Sequence, residues 1–454
     1  MTRPWNVLVF PGGTEIGLEV WSALRACKEV VLFSAGQGLS SHASYVFPRY
    51  HPLPSVFEPD WIEPLNNLCI RLGIDFVIPA HDDVLVALAS ERERLAAQVV
   101  TSPAATCAIA RYKSRTYAAL KDSIPCPRVY TREQVAHLPV FCKPDRGQGS
   151  QDARWIRMAG ELALVQPGEI LLEPLPGAEF TVDCFSDRER GLLFARGRER
   201  IRVRNGISVA TASAERPEFR RYAEAISAAL PFHGAWFFQV KEAADGQLKL
   251  LEVAPRIAGG MAYYRVQGVN FPLLSLYETA RLRFEILVNR DLGLEMDRAL
   301  INRYRHKLRF GAVYIDLDDT LVFRGSVNLM LVTFLYQCVN SGIRIVLVTK
   351  HAAALEDCLS RCRLRQLFDE VVHLRRDQDK ADAITRCDAI FIDDSFSERC
   401  AAHLRTGIPT FDLSMIEMLI DHTGPDFPFA PAKASKPAGI KLHLSSSETT
   451  SATA

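Results

Sequence analysis

The segment VYIDLDDT places Asp316 and Asp318 where a hydrophobic strand ends. Two carboxylates two residues apart at such an end can converge on one metal ion and one phosphate. IVLVTK closes a second apolar run on Thr349, DQDKADAI carries Lys380, and AIFIDDSFSER closes a third run on Asp393 and Asp394. Parallel sheets gather their strand ends at one crevice, so these groups are expected at a single sheet edge. Solvated loop acids are the plainer alternative, and paired Asp directly after apolar runs argues against it.

A second set of groups suits ATP chemistry, in which developing negative charge is met by fixed cations, backbone N–H groups and magnesium. Lys113 opens the helical pattern KSRTYAALKDS, and Lys143 ends the strand pattern VFCKP. Gly147 and Gly149 follow in DRGQGSQ, a loop able to wrap phosphate oxygens with its amides. EPLPGAEFTVD, RGRERIRVRNG and FFQVKEAADGQLKLLEVAPRIAGG come next. Any one of these is an ordinary surface feature; their order together is informative.

The elements that must position these groups follow from periodicity. NVLVF, EVVLFSA and IDFVIPA read as strands separated by the helical stretches EIGLEVWSALRAC and WIEPLNNLCIRLG, which argues for a parallel α/β domain at 1–105. Residues 106–305 change texture to an α+β body with antiparallel hairpins, closed by the helix VNFPLLSLYETARLRFEI and a charged connector, NRDLGLEMDRALINRYRHKLR. Strands AVYIDL, IRIVLVT, EVVHL and AIFIDD, again separated by helices, predict a second parallel sheet at 306–421. Residues 422–454, rich in Pro, Ala, Ser and Thr, are expected to be disordered. PGGTEIG, between the first strand and helix, lacks the G-x-G-x-x-G spacing and has no acid after the second strand, so Gly12, Gly13 and Gly17 read as a tight turn rather than a dinucleotide site.

The first 285 residues resemble the ATP-grasp superfamily, especially its carboxylate–amine ligases and the carbamoyl phosphate synthase large subunit. The resemblance implies that Lys113 and Lys143 hold nucleotide phosphates under a flap at Gly147 and Gly149. It implies that Glu173 to Leu175 form the adenine hinge, that Glu179 meets the ribose, and that Arg198 and Arg200 face the phosphates or an acyl-phosphate. Gln239 and Glu252 match magnesium ligands and Arg256 the arginine after them. The sequence departs from the family at EVAPR: Ala254 stands where an asparagine oxygen would ligate metal, so one contact is lost or supplied by water. Residues 311–421 resemble the haloacid dehalogenase superfamily. There Asp316 matches the aspartyl nucleophile, Asp318 the acid/base, Thr349 the phosphate-binding hydroxyl and Lys380 the charge-offsetting lysine. Asp393 and Asp394, with Asp316 and Asp318, match the Mg²⁺-holding acids. About thirty residues separate Asp316 from Thr349, and again Thr349 from Lys380, which leaves no room for a large cap.

The resemblances together imply a bifunctional enzyme using ATP and Mg²⁺: an acyl-phosphate-forming ligase of a carboxylate and an amine, joined to a Rossmann-like phosphatase domain acting on a phosphorylated small molecule. The alternative keeps one module catalytic and makes the other a degenerate binding or scaffold domain. Related ligases often dimerise, so a homodimer is allowed. The formal net charge of +1 gives no field for nucleic acid or an anionic membrane. The eleven cysteines form no CxxC pair or zinc ladder, which fits reduced thiols in the cytoplasm. No stretch reaches the roughly 18 apolar residues of a membrane span, and the N-terminus lacks a signal-peptide pattern.

Overall fold

The computed structural model describes residues 3–38, 41–147, 152–204, 206–289, 293–301, 303–304 and 306–421; Gly149 and the tail at 422–454 lie outside them. The chain divides into two compact units, 1–302 and 303–454, both mixed α/β.

The first unit begins with a parallel sheet ordered β3-β2-β1-β4-β5. Its strands are β1 (Trp5–Phe10), β2 (Val30–Gly36), β3 (Tyr50–Pro52), β4 (Phe76–Pro79) and β5 (Gln98–Val99). Val7, Leu8 and Val9 are fully buried, as expected of a strand covered on both faces. The glycines after β1 are structural. A Cβ on Gly17 would lie 2.4 Å from the Gly12 carbonyl oxygen, and one on Gly12 would lie 1.8 Å from Ser34 Oγ. Thr14 caps the helix Glu15–Leu24 by accepting from the Gly17 N–H at 3.0 Å.

A small antiparallel sheet follows, ordered β6-β9-β7-β8, from β6 (Val129–Tyr130), β7 (Val140–Pro144), β8 (Arg154–Ile156) and β9 (Glu169–Leu172). The large sheet is ordered β14-β13-β10-β11-β12-β15. It is built from β10 (Glu179–Asp187), β11 (Gly191–Arg204), β12 (Ile207–Ala214), β13 (Gly234–Glu242), β14 (Leu248–Ala254) and β15 (Glu295–Asp297). Side chains alternate along β13. Trp236, Phe238 and Val240 pack with Phe219 and Tyr222 of the helix Pro217–Ala229. Ala235 and Phe237 pack on the opposite side, with residues of the N-terminal sheet. Period two therefore puts Gln239 on the Phe237 face.

Three expectations for this region are corrected. GLLFARG and IRVRNG are one long strand, β11, with register shifts near Arg200 and Arg202. The closing helix spans only Phe271–Thr279. Arg281 takes φ +56°, and Leu282 N–H returns to the Tyr277 carbonyl, which terminates the helix. The charged connector contributes β15, paired with β12.

The second unit holds β16 (Ala312–Ile315), the hairpin strands β17 (Val322–Phe323) and β18 (Ser326–Val327), then β19 (Arg344–Thr349), β20 (Glu370–His373), β21 (Ala389–Ile392) and β22 (Thr410–Phe411). The sheet order β20-β19-β16-β21-β22, all parallel, is a doubly wound order that reverses at β16. Val313, Ile315, Ile345 and Leu347 face the helix Leu329–Asn340, while Tyr314, Val346 and Val348 face the other side.

Among the described residues, no helix is long and apolar enough to cross a membrane. All eleven cysteines are free thiols.

Candidate active sites

Two clefts meet on the face of β13 and β14 that carries Gln239 and Glu252. These residues are direct cross-strand partners, so the amide and the carboxylate stand side by side. The smaller cleft, about 150 Å³, is lined by Lys143, Glu173, Leu175 and Glu179 with the apolar Phe141 and Leu172. The larger, about 370 Å³, is lined by residues including Thr14, Asp82, Arg198, Arg200, Arg256 and Arg298. Lys113, Gly147, Gln239 and Glu252 line both.

The register of β13 and β14 shifts between Gln239 and Val240, where Leu251 is skipped in the pairing. The Leu251 carbonyl accepts from Tyr117 Oη at 2.8 Å and from Lys143 Nζ at 3.4 Å. Lys143 Nζ also donates to Tyr117 Oη at 3.2 Å. Burial, and then repulsion from Lys113, pull the Lys143 ammonium down to about 8. Burial also lowers Lys113. Its Nζ donates to the Gly147 carbonyl at 3.1 Å, which ties the helix Lys113–Leu120 to the loop after β7. Asp145 holds the same helix start, accepting from Ser114 N at 2.7 Å and from Ser114 Oγ at 2.6 Å.

The acids expected at the nucleotide are already paired. Glu173 binds Lys249 Nζ at 2.7 Å and accepts from Arg128 N–H at 2.7 Å. Glu179 binds Arg200 Nε at 2.7 Å and Lys241 Nζ at 3.5 Å. Glu252 has no ion pair within 4.0 Å among the described residues.

Arg198 and Arg200, expected to face the phosphates or an acyl-phosphate, line the larger cleft and not the smaller. Both lie on β11, and Arg200 reaches Glu179 at the lining of the smaller cleft. Arg198 Nε donates to Asp183 Oδ2 at 2.7 Å, and burial raises the Asp183 carboxyl. A Cβ on Gly260 would come within 2.5 Å of the Arg198 guanidinium, which would have to shift to accept it. Arg256 also lies in the larger cleft, donating from Nη2 to Asp82 Oδ2 at 2.9 Å. Burial opposes ionisation of Asp82, but Arg256 outweighs it and holds the carboxyl below its usual range. Sequence reasoning missed Asp82, Arg111 and Arg298. Asp82 stands in the first turn of the helix that follows β4, a strand end that could have flagged it, whereas Arg298 sits in the stretch read as a connector.

In the second unit, Asp316, Thr349 and Asp393 follow or end three adjacent parallel strands and are almost fully buried. Lys380 Nζ bridges Asp316 Oδ1 and Asp393 Oδ2, each at 2.7 Å. Burial pushes the Asp316 carboxyl up to about 6 and raises Asp393. Burial also opposes the charge on Lys380, yet its two carboxylates together raise it. Carboxylate oxygens of Asp316, Asp393 and Asp394 lie within 4.8 Å of one another, a donor set suited to a hard divalent cation. Thr320 Oγ1 braces this group, donating to Asp394 Oδ1 at 3.0 Å and accepting from the Asp394 N–H at 2.9 Å.

Asp318 does not join the carboxylate group, contrary to its expected place among the metal ligands. Its half-exposed carboxylate turns to His351, whose Nδ1 lies 2.8 and 3.0 Å from the two oxygens. His351 was missed, although it stands only two residues after Thr349.

The sheets and paired clefts of the first unit define a class: this is an ATP-grasp fold. The family model described as "ATP-grasp in the biosynthetic pathway with Ter operon" matches residues 166–298. Three solved structures are similar. The biotin carboxylase domain dimer of Hydrogenobacter thermophilus 2-oxoglutarate carboxylase, with MgADP, ADP and bicarbonate, is 16% identical; the match covers 63% of this chain and 72% of that one, with TM-score 0.53. The ADP complex of purK, N5-carboxyaminoimidazole ribonucleotide synthetase, is 16% identical over 63% and 81% of the chains, with TM-score 0.52. An L-amino acid ligase from Bacillus licheniformis is 18% identical over 63% and 76%, with TM-score 0.50. At these identities the likeness establishes the fold. No curated protein matches the chain.

Proposed function

We propose that the first unit is an ATP-dependent carboxylate–amine ligase and the second a magnesium-dependent phosphatase of the aspartyl-phosphate type. One observation carries the ligase reading: Lys113, Gln239 and Glu252 stand where the two clefts meet. ATP in the smaller cleft would direct its phosphates to that junction, with adenine against Phe141, Leu172 and Leu175. A carboxylate in the larger cleft would then attack the γ-phosphorus, breaking its bond to the ADP oxygen and giving an acyl-phosphate. An amine adds to the acyl carbon, phosphate leaves, and the amine proton passes to solvent. The protein supplies positioning and charge rather than a nucleophile. Gln239 and Glu252 would hold Mg²⁺, which screens phosphate charge when bound.

For the second unit the Lys380-bridged pair of Asp316 and Asp393 carries the reading. Asp316 would attack phosphorus, with Lys380 offsetting charge, and Asp316, Asp393 and Asp394 would hold Mg²⁺. The substrates we assign are a carboxylate, an amine and a phosphorylated small molecule, without nucleic acid or membrane. We place the protein in the cytoplasm, where free thiols persist. A second reading makes the ligase half a binding module, and Ala254 favours it.

The test follows ADP and phosphate separately. The ligase reading expects ADP release that needs both an acid and an amine and is lost in Lys143→Ala. Tight ATP binding without ADP from any acid and amine pair would favour the binding module. The phosphatase reading expects aryl-phosphate hydrolysis that vanishes in Asp316→Asn; persistent hydrolysis would refute it.

A further inference from the structure

We infer that His351 is a positioning residue that holds the Asp318 carboxylate at the open rim of the second unit's acid cluster, as its proton-transfer group. The inference rests on the phosphatase reading of that site. Asp318 has only two side-chain torsions but is half-exposed, with 51% of its side chain accessible, so nothing in its packing fixes where its carboxylate points. His351 supplies the constraint. Its ring is 15% exposed, and Nδ1 reaches both Asp318 oxygens, at 2.8 and 3.0 Å. With its hydrogen on Nδ1, the ring donates to an Asp318 oxygen whether or not the other oxygen carries a proton, so the contact persists in the acid and the base form.

His351 is itself held at both backbone atoms. Its N–H donates to Thr349 Oγ1 at 3.2 Å, and its carbonyl accepts from His373 Nε2 at 2.8 Å. The neighbouring Lys350 is occupied by Glu398 at 2.6 Å and does not compete for Asp318. The contact therefore fixes the carboxylate apart from the group of Asp316, Asp393 and Asp394.

The geometry divides the chemistry between the two aspartates. The Asp316 carboxylate attacks phosphorus, and the bond from phosphorus to the leaving oxygen breaks. That oxygen takes the proton of the Asp318 carboxyl, and the carboxylate so formed is met by the His351 Nδ1–H. In the second half, Asp318 takes a proton from the attacking water as the bond from phosphorus to Asp316 breaks. A general acid matters most when the leaving oxygen is strongly basic.

The experiment compares butyl phosphate with 4-nitrophenyl phosphate in the full chain with Mg²⁺. His351→Ala is expected to lower kcat for butyl phosphate about tenfold or more, within the roughly 10²-fold that a misplacement near 1 Å costs. KM should stay within about twofold, and the loss should be much smaller for the nitrophenyl ester. His351→Asn, whose amide can donate from a similar position, should recover most of the rate. Equal losses on both esters, no recovery in His351→Asn, or unchanged turnover of butyl phosphate in His351→Ala would overturn the inference. Asp316→Asn is the separate control: activity surviving there refutes the phosphatase reading itself, and this inference with it.

Discussion

In the metal-free protein, Asp316→Asn should remove a pH-dependent cost built into the second unit. Asp316 is 3% exposed, and its carboxyl is pushed up to about 6. An unfolded Asp titrates near 3.9. Between those values the unfolded chain has ionised this group and the folded chain has not, so the folded state binds more protons. Stability then falls as pH rises from about 4 through about 6, and is flat above. The gap is about two units, and at 1.36 kcal/mol per unit it is worth about 3 kcal/mol. Asparagine has nearly the same shape and no proton to bind. The stability of wild type minus that of the variant should therefore drop by about 2 kcal/mol between pH 4 and pH 7, the rest of the fall lying below pH 4. Native-state hydrogen exchange of β16 and β19 amides in EDTA reads this difference in the second unit directly. Added Mg²⁺ should flatten the curve, because a cation beside the carboxylate favours its ionised form. A difference that stays level, or rises with pH in EDTA, would refute the assignment of Asp316 as a carboxyl whose ionisation burial opposes.

Further predictions concern the first unit. The Lys143 ammonium, pulled down to about 8, should attract phosphate when protonated, so nucleotide affinity should fall as pH rises from about 7 to 9. Lys143→Arg, charged throughout that range, should remove the fall in a calorimetric titration. Glu252→Gln should weaken Mg²⁺-dependent nucleotide binding by at least about tenfold, equivalent to about 1.4 kcal/mol, with little effect on Mg²⁺-free binding. In wild-type protein a non-hydrolysable ATP analogue should add about one Mn²⁺ per chain, by magnetic resonance, to whatever the second unit's acid cluster already binds, and Ala254→Asn, which adds an amide oxygen beside Glu252, should make that increment about two.

The parts legible in the sequence were those in which one short segment contains both the strand and the group it presents. VYIDLDDT, IVLVT and AIFIDD each do so, and the order of the doubly wound sheet then brings Asp316, Thr349 and Asp393 to adjacent strands. Lys143 and Glu252 were legible for the same reason. Less legible was anything decided by partner choice across the chain. For Arg198 and Arg200 the choice between nucleotide phosphates and an acyl-phosphate stayed open, because the sequence offers no means of telling which cleft a strand face opens onto. Arg298 was hidden because β15 is three residues long and its pairing with β12 is specified by tertiary contacts rather than by its own pattern. His351 has no motif at all; its contact with Asp318 appears only when β19 and the loop after β16 bring the two together.

Ala254 is the residue on which the ligase reading turns, and its surroundings bear on whether it is an isolated loss. It is 6% exposed and lies directly across from Phe237 on β13. Two residues past Ala254, where β14 ends, Arg256 has its guanidinium carbon 5.1 Å from the Phe237 ring centre and is committed to Asp82. One step beyond the pair of Gln239 and Glu252, then, the same face offers a methyl group, an aromatic ring and a cation. A second divalent ion there would meet no side-chain oxygen from Phe237 or Ala254 and a positive charge nearby, while the first position keeps its amide and its carboxylate. The departure is thus local and coherent: it removes one ion site and leaves the junction of the clefts intact, which is why nucleotide binding and ligation need to be measured as separate quantities.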